Sequence, residues 1–276
     1  MTPRLEIRDL DVTTSDGVVL VSEMSLSIKP GGLTALVGES GSGKTLTALA
    51  VLGLLPASLA QRRGTVLLDG IDVSTLAAAE RRAMRGRDMS MIFQEPMTAL
   101  DPVMRIDRQL LEARRRRFTV SGHEAAAWCV DALEAVGIED PARVARAFPH
   151  ELSGGMRQRV LIAMGLAADP ALILADEPTA ALDSINRRDM LAMLAAAAQN
   201  GAGVLLITHD LNAARDWADR VVVMARGRVV ESGSAEEILS NPKHPYTKGL
   251  LACIPRADHA GPLLELDESA ANHAPV

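Results

Sequence analysis

Apolar and polar residues alternate at period two over Leu5–Val12 and Val18–Ile28, the pattern of antiparallel strands with one wet face. Leu33–Val37 abandons that rhythm for a continuous run, as a strand buried on both faces does. It leads into a glycine-rich loop and then the apolar segment Leu46–Leu55, giving the order strand, loop, helix. Leu172–Ala175 and Val204–Ile207 read as two more buried strands, each running out into polar residues. Val221–Met224 and Arg228–Glu231 flank Ala225-Arg226-Gly227 as a hairpin. From Pro96 to Leu166 the residues are Ala, Leu, Arg and Glu without strand-like runs, so this stretch is expected to be helical. The order predicts an α/β core of parallel strands, an antiparallel β layer at the N-terminus and an inserted helical subdomain at about 96–166. The pattern occupies residues 1–235 and contains no internal repeat. A Pro- and His-bearing extension follows at 236–276, and its end, from about residue 258, is rich in Ala, Glu and Asp and is expected to be disordered.

Composition narrows the function classes. The net charge is −6 and the pI about 5.6, so no basic footprint for nucleic acid is present. The aromatic residues, Phe93, Phe118, Trp128, Phe148, Trp217 and Tyr246, are too scattered for a base-stacking platform. Cys129 and Cys253 are the only cysteines, which excludes a disulfide framework and fits a reducing compartment. The N-terminal MTPRLEIRDLD is charged from Arg4 and does not read as a signal peptide. The longest uncharged stretch, Thr45–Gln61, is too short to span a bilayer comfortably. The chain is therefore expected to be soluble, with any membrane attachment supplied by another protein.

Two stretches carry phosphate chemistry. Gly38-Glu39-Ser40-Gly41-Ser42-Gly43-Lys44-Thr45 fits G-x-x-x-x-G-K-[ST] between a predicted strand and helix. Its glycines let backbone N–H groups turn around a β-phosphate, and the helix N-terminus adds partial positive charge. Lys44 is placed to reach the β- and γ-phosphates, and the Thr45 hydroxyl to coordinate Mg²⁺. The strand Leu172–Ala175 then delivers Asp176 and Glu177 at its C-terminal end, the edge where open α/β sheets bind ligands. Asp176 suits the Mg²⁺ shell, and Glu177 suits polarising a water that attacks the γ-phosphate.

A third string is more specific. Leu152-Ser153-Gly154-Gly155-Met156-Arg157-Gln158-Arg159, downstream of that phosphate loop, resembles the signature of the ATP-binding-cassette (ABC) ATPases. The resemblance covers about residues 4–235 and implies a P-loop NTPase (RecA-like) core. It implies ATP and Mg²⁺ as ligands, with Gln94 as the Q-loop glutamine near Mg²⁺ or the attacking water. His209 then matches the switch histidine on the γ-phosphate, and Asp183 lies in the D-loop facing the opposite subunit. Ser153, Gly154 and Gly155 complete an ATP site on a partner chain, so the resemblance implies a second ABC ATPase chain, homo- or heterodimeric.

The segment Asn241–Leu251, NPKHPYTKGLL, is similar to the C-terminal segment of the oligopeptide, dipeptide and nickel importer ATPases; Ile92–Met97 and Gly38–Ser40 favour the same subfamily. That likeness implies integral membrane permease subunits as partners, an extracytoplasmic solute-binding protein acting indirectly, and a place on the cytoplasmic face of the inner membrane. Two other readings stay open: a soluble cassette ATPase acting on ribosomes or DNA, and the ATPase of an exporter. The first expects paired cassettes, basic linkers, coiled-coil insertions or zinc-binding cysteines, which the sequence lacks. The second is opposed only by the HPYTKGLL segment.

The chain also departs from its relatives. No aromatic precedes Phe93, so Ser15–Val19 offers adenine no ring, and the contact is expected to be aliphatic or supplied by the partner. Cys253 is the only cysteine near the C-terminus, so no iron–sulfur cluster is expected. Ala99 and Asp101 stand where relatives often carry Ser and Asn. The basic run Arg114–Arg117 is expected to be a solvated helix face.

Overall fold

The computed structural model describes residues 2–94, 99–179 and 184–253. Glu95–Thr98, residues 180–183 with the D-loop candidate Asp183, and the tail from Ile254, including the stretch expected to be disordered, lie outside the described residues. The chain divides into two compact units, residues 1–76 with 205–276, and residues 77–204.

In the first unit, β1 (Leu5–Thr14) runs antiparallel to β2 (Val19–Ile28) on one side and β4 (Leu59–Leu68) on the other. The short strand β5 (Ile71–Asp72) pairs with β4 and ends this sheet. On β1 the buried apolar residues are Leu5 and Ile7, then Leu10 and Val12, so the period-two pattern changes phase midway. A bulge accounts for it. Ile7 pairs with Leu26 but Leu10 with Met24, and Asp9 takes φ 47°. The extra residue returns Leu10 to the core face instead of the wet one. Gly64 on β4 makes room for this kink, since a Cβ there would come within 2.5 Å of the Arg8 and Asp9 carbonyl oxygens. β4 is not evident from the sequence because its centre, Gln61-Arg62-Arg63-Gly64, has no apolar residue.

The second sheet of this unit surrounds β3 (Leu33–Val37), every residue of which is buried. β3 pairs in parallel with β9 (Arg220–Ala225), which turns antiparallel into β10 (Arg228–Ser234), the hairpin expected. The other neighbour of β3 is β8 (Gly203–Thr208). The helix α1 starts at Lys44 and ends at Leu52, rather than spanning the apolar run 46–55, because Gly43 and Gly53 supply left-handed residues at its two ends. Beyond β8 come the helices α8 (Leu211–Trp217), α9 (Ala235–Ser240) and α10 (Pro245–Ala252), numbered in chain order. The described part of the C-terminal extension belongs to the core. Ile238, Leu239 and Tyr246 are buried in one cluster with Ala35, Val37, Val221 and Val223, so α9 and α10 cover the apolar face of β3 and β9.

In the second unit β6 (Met89–Ile92) and β7 (Leu172–Asp176) pair in parallel, with Ile92 opposite Ala175. Its helices are α2 (Ala78–Met84), α3 (Ile106–Arg114), α4 (Gly122–Ala135), α5 (Pro141–Arg146), α6 (Gly154–Leu166) and α7 (Ser184–Gln199). Ile106, Leu110, Leu133, Val144, Val160 and Ile162 are fully buried among α3 to α6, so the expected helical stretch has its own apolar core.

The arginine run departs from expectation at two positions. The Arg114 guanidinium lies 3.6 Å from the Phe118 ring centre and 5.1 Å from that of Trp128, and donates to the Ala167 carbonyl at 2.8 Å. Arg117 donates to the Asp169 carbonyl at 2.9 Å and to Asp88 at 3.1 Å. Both are tied, but only Arg114 is withdrawn from solvent: its planar cation stacks on the rings and caps the C-terminal end of α6, whereas Arg117 stays exposed. Asp101 also has a structural account. Its carboxylate accepts from the Val103 N–H at 3.0 Å, and the buried Gln109 side chain bonds both its N–H and its carbonyl. No helix among the described residues is long and apolar enough to cross a membrane.

Candidate functional site

In the first unit, the buried β3 carries the chain to Gly38, where the backbone must pass close to β9. A Cβ at Gly38 would lie 2.1 Å from the Met224 carbonyl oxygen, so no other residue fits without moving the strand. The loop closes on itself through Ser42 N–H to the Glu39 carbonyl at 3.2 Å, and the hairpin holds it through Gly227 N–H to the Ser42 carbonyl at 3.0 Å. α1 then begins at Lys44 with Gly43 as its N-cap. No side chain caps it and its first turn has no acidic residue, so its positive end is left for an external anion. Lys44 is buried, and its ammonium donates to the carbonyls of Gly38 and Glu39, both at 2.7 Å. Ser40, Gly41 and Thr45 are exposed.

His209 is also in this unit, exposed just after β8, the neighbour of β3. Asp210 holds the junction: its N–H donates to Thr208 Oγ1 at 2.9 Å, and its carboxylate caps α8 through the Asn212 and Ala213 N–H groups. Val18 and Val19, where β2 begins, are 54% and 55% exposed and so are accessible to a flat apolar ligand group. β2 runs beside the phosphate loop, since Val21 Cγ2 lies 3.0 Å from where a Cβ on Gly43 would be.

The second unit brings together three more of the sequence-selected residues. Ile92 and Ala175 are in register on parallel strands, so Gln94 and Glu177, each two residues beyond, leave at the same sheet edge. Gln94 is exposed and Asp176 buried, while Glu177 is half-buried at φ 46°. A carboxylate residue held in the left-handed region is strained by about 1–3 kcal/mol, a cost found most often at functional sites.

Ser153 caps α6, accepting from the Met156 N–H at 3.3 Å, and Ser153 and Gly154 are exposed at that positive helix end. The polar residues that follow tie the helix down. Arg157 donates to the Pro149 carbonyl at 2.7 Å, and Arg159 to the Val136 carbonyl at 2.6 Å. Gln158, fully buried, donates to the Pro178 carbonyl at 2.9 Å, next to Glu177. In the sequence Gln158 is only one letter of the LSGGMRQR string; its buried tether to Pro178 exists only in three dimensions. Nor does the HPY string reveal that the Tyr246 hydroxyl bonds the Glu39 amide of the glycine loop.

A buried strand, a glycine loop closed on a lysine and a helix opening outward make the core of a P-loop NTPase. Solved structures agree. The ATP-binding cassette MJ0796, in a dimeric post-hydrolysis state bound to ADP and Pi, is 27% identical with a TM-score of 0.75, over 84% of this chain and 98% of that one. cbiO1 from Clostridium perfringens, part of the ABC transporter complex cbiONQ, is 25% identical with a TM-score of 0.73, over 87% of this chain and 92% of that one.

Residues 21–180 match the family model described as ABC transporter, and residues 230–274 match that of the oligopeptide/dipeptide transporter, C-terminal region. The peptidoglycan transport ATP-binding protein YejF of Agrobacterium fabrum is 46% identical over 93% of this chain and 48% of its own length. The oligopeptide transport ATP-binding protein OppD of Mycobacterium bovis is 47% identical over 94% of this chain and 43% of its own. The chain thus spans about half the length of these curated relatives; for OppD of Bacillus subtilis, at 41% identity, it spans 74%. The chain belongs to the ABC transporter family.

Proposed function

We propose that this chain is the ATP-binding and ATP-hydrolysing subunit of a membrane importer, taking up peptides or a chelated metal such as nickel. The observation that carries the reading is the phosphate loop: a glycine cradle closed over a buried lysine at an uncapped helix N-terminus. The likeness of the C-terminal part to the oligopeptide/dipeptide transporter region supports import.

In this reading Gly38–Thr45 bind the β- and γ-phosphates, with Lys44 reaching the phosphate oxygens from its place beside the Gly38 carbonyl. Among the described residues no group of three or more His, Cys, Asp or Glu could hold a metal alone. The available donors, the Thr45 hydroxyl, the Asp176 carboxylate and the Gln94 amide oxygen, are hard oxygens, suited to a Mg²⁺ that shares its shell with phosphate and water. When bound, Mg²⁺ neutralises charge on the β- and γ-phosphates. Glu177 takes the proton of the attacking water, and His209 donates to the γ-phosphate. Ser153–Gly155 face the nucleotide held by a partner cassette and Asp183 meets that partner, so ATP closes two chains together and hydrolysis releases them. Permease subunits hold the pair at the cytoplasmic face of the membrane, and a solute-binding protein delivers cargo from outside.

The test combines binding with uptake. Lys44→Ala is expected to weaken Mg-ATP binding about tenfold or more, the worth of a charge-assisted contact, and to abolish uptake of labelled oligopeptide or nickel by cells relying on this system. Equal ATP affinity in the two proteins would overturn the loop assignment. Unchanged uptake of both cargoes would overturn import.

The exposed Val18 and Val19 support an aliphatic adenine contact. One aromatic stack is worth about 1–3 kcal/mol, so without it ATP and GTP are expected to bind within about tenfold of each other. A competition titration showing a hundredfold preference would mean the base is recognised by other groups.

A further inference from the structure

The HPY segment is joined to the phosphate loop by a route that the catalytic motifs do not use. Tyr246, 2% exposed, sits in the apolar cluster under β3 and β9, and its hydroxyl accepts a hydrogen bond from the Glu39 N–H at 3.2 Å. That N–H belongs to the same peptide plane as the Gly38 carbonyl, which accepts from Lys44 Nζ at 2.7 Å. One rigid amide therefore has the Tyr246 hydroxyl at one end and the Lys44 ammonium at the other. The phenol is itself anchored. The Tyr246 N–H donates to His244 Nδ1 at 3.2 Å, and His244 is fully buried. The N–H groups of Lys243 and His244 donate to the two carboxylate oxygens of Glu231, on β10, at 2.7 and 3.1 Å. The Glu231 side chain on the hairpin strand thus fixes the start of α10, and α10 fixes the phenol.

We infer that Tyr246 is a positioning residue for the phosphate loop: its hydroxyl orients the Gly38–Glu39 peptide and thereby sets where Lys44 meets the phosphates. This rests on the reading of Gly38–Thr45 as an ATP site. The geometry favours an orienting role over simple packing. The ring alone would fill the apolar cluster, whereas the hydroxyl is spent on a single amide of the loop. A peptide plane free to rotate about its flanking bonds would move the Gly38 carbonyl, and with it the resting position of the ammonium. Glycine at position 38 makes that rotation easy, so an external restraint has something to act on.

The experiment measures Mg-ATP affinity of the full chain by titration calorimetry in wild type, Tyr246→Phe, Lys44→Ala and the double variant, with nucleotide-free melting as a control. Tyr246→Phe removes one oxygen and leaves the ring. It is expected to weaken ATP binding by about three- to tenfold, the worth of one hydrogen bond, while nucleotide-free melting stays within a few degrees. In the Lys44→Ala background the same change is expected to alter affinity by less than about twofold, because the residue it acts through is gone.

Each alternative has its own outcome. If Lys44→Ala binds ATP as wild type does, the loop assignment itself falls. If wild type and Lys44→Ala differ but Tyr246→Phe binds like wild type, only the positioning role falls. An equal loss from Tyr246→Phe in both backgrounds would also overturn it, since the effect would then bypass Lys44. Should Tyr246→Phe fail to fold, Glu231→Gln keeps the ring and loosens its anchor, and is judged by the same cycle.

Discussion

Glu177→Gln is expected to bind ATP with wild-type affinity and to lose about 10²- to 10⁴-fold in turnover, the range that a positioned general base contributes. The amide keeps the volume of the carboxylate and fits the same backbone, so the left-handed turn at φ 46° is retained. What is lost is the basic oxygen at the mouth of the β6–β7 edge. With binding intact and release blocked, ATP should accumulate a closed cassette dimer, visible as a larger species in size-exclusion chromatography with Mg-ATP. Steady-state hydrolysis within a few-fold of wild type would sink the assignment of Glu177 as base.

The second large effect concerns the partner. The cap at Ser153 and the open space around Gly154 present the start of α6 outward. If that end stabilises the γ-phosphate bound by another chain, hydrolysis is second order in cassettes at low concentration. The chain alone is expected to be mainly monomeric and slow, with a specific rate that climbs with protein concentration and with addition of a second cassette protein and permeases. Ser153→Arg is expected to cut the rate of the partner's site about 10²- to 10³-fold, as removal of a donor aimed at transition-state charge does. The measurement is ATPase rate against concentration for the chain alone and with its partner. A high rate that does not change with concentration, from a proven monomer, would overturn the composite site.

How much of this was legible in the sequence depended on range. β3, β7 and β8 announce themselves as apolar runs because both faces are buried, and the motifs at their ends needed no tertiary information. The bulge at Asp9 was also written in the chain, as a three-residue step from Ile7 to Leu10, but alternation on either side disguised it. Arg114 had Phe118 one helical turn away, a signal for stacking that a count of like charges hides. β4 was hidden by charged residues at its centre. Gln158 and Tyr246 could not have been assigned from pattern at all. Their partners, the Pro178 carbonyl and the Glu39 amide, are backbone groups, which carry no residue identity, and they lie 20 and 207 positions away.

That last separation has a consequence for how the protein is made. The glycine loop leaves the ribosome well before two of its supports, which are encoded far downstream of it. The Leu33 N–H that opens β3 bonds Asp219, 186 residues later, and the Glu39 amide waits for residue 246. At synthesis rates of about 5–20 residues per second, the loop exists for about 10–40 s before its last acceptor is even translated. β3, apolar along its length, is without its partner β9 through nearly all of that time. The glycine loop is thus begun early and braced late, and a ribosome that stalls before the HPY segment leaves behind a chain carrying its glycine-loop, LSGG and carboxylate motifs but lacking the hydroxyl that bonds the Glu39 amide.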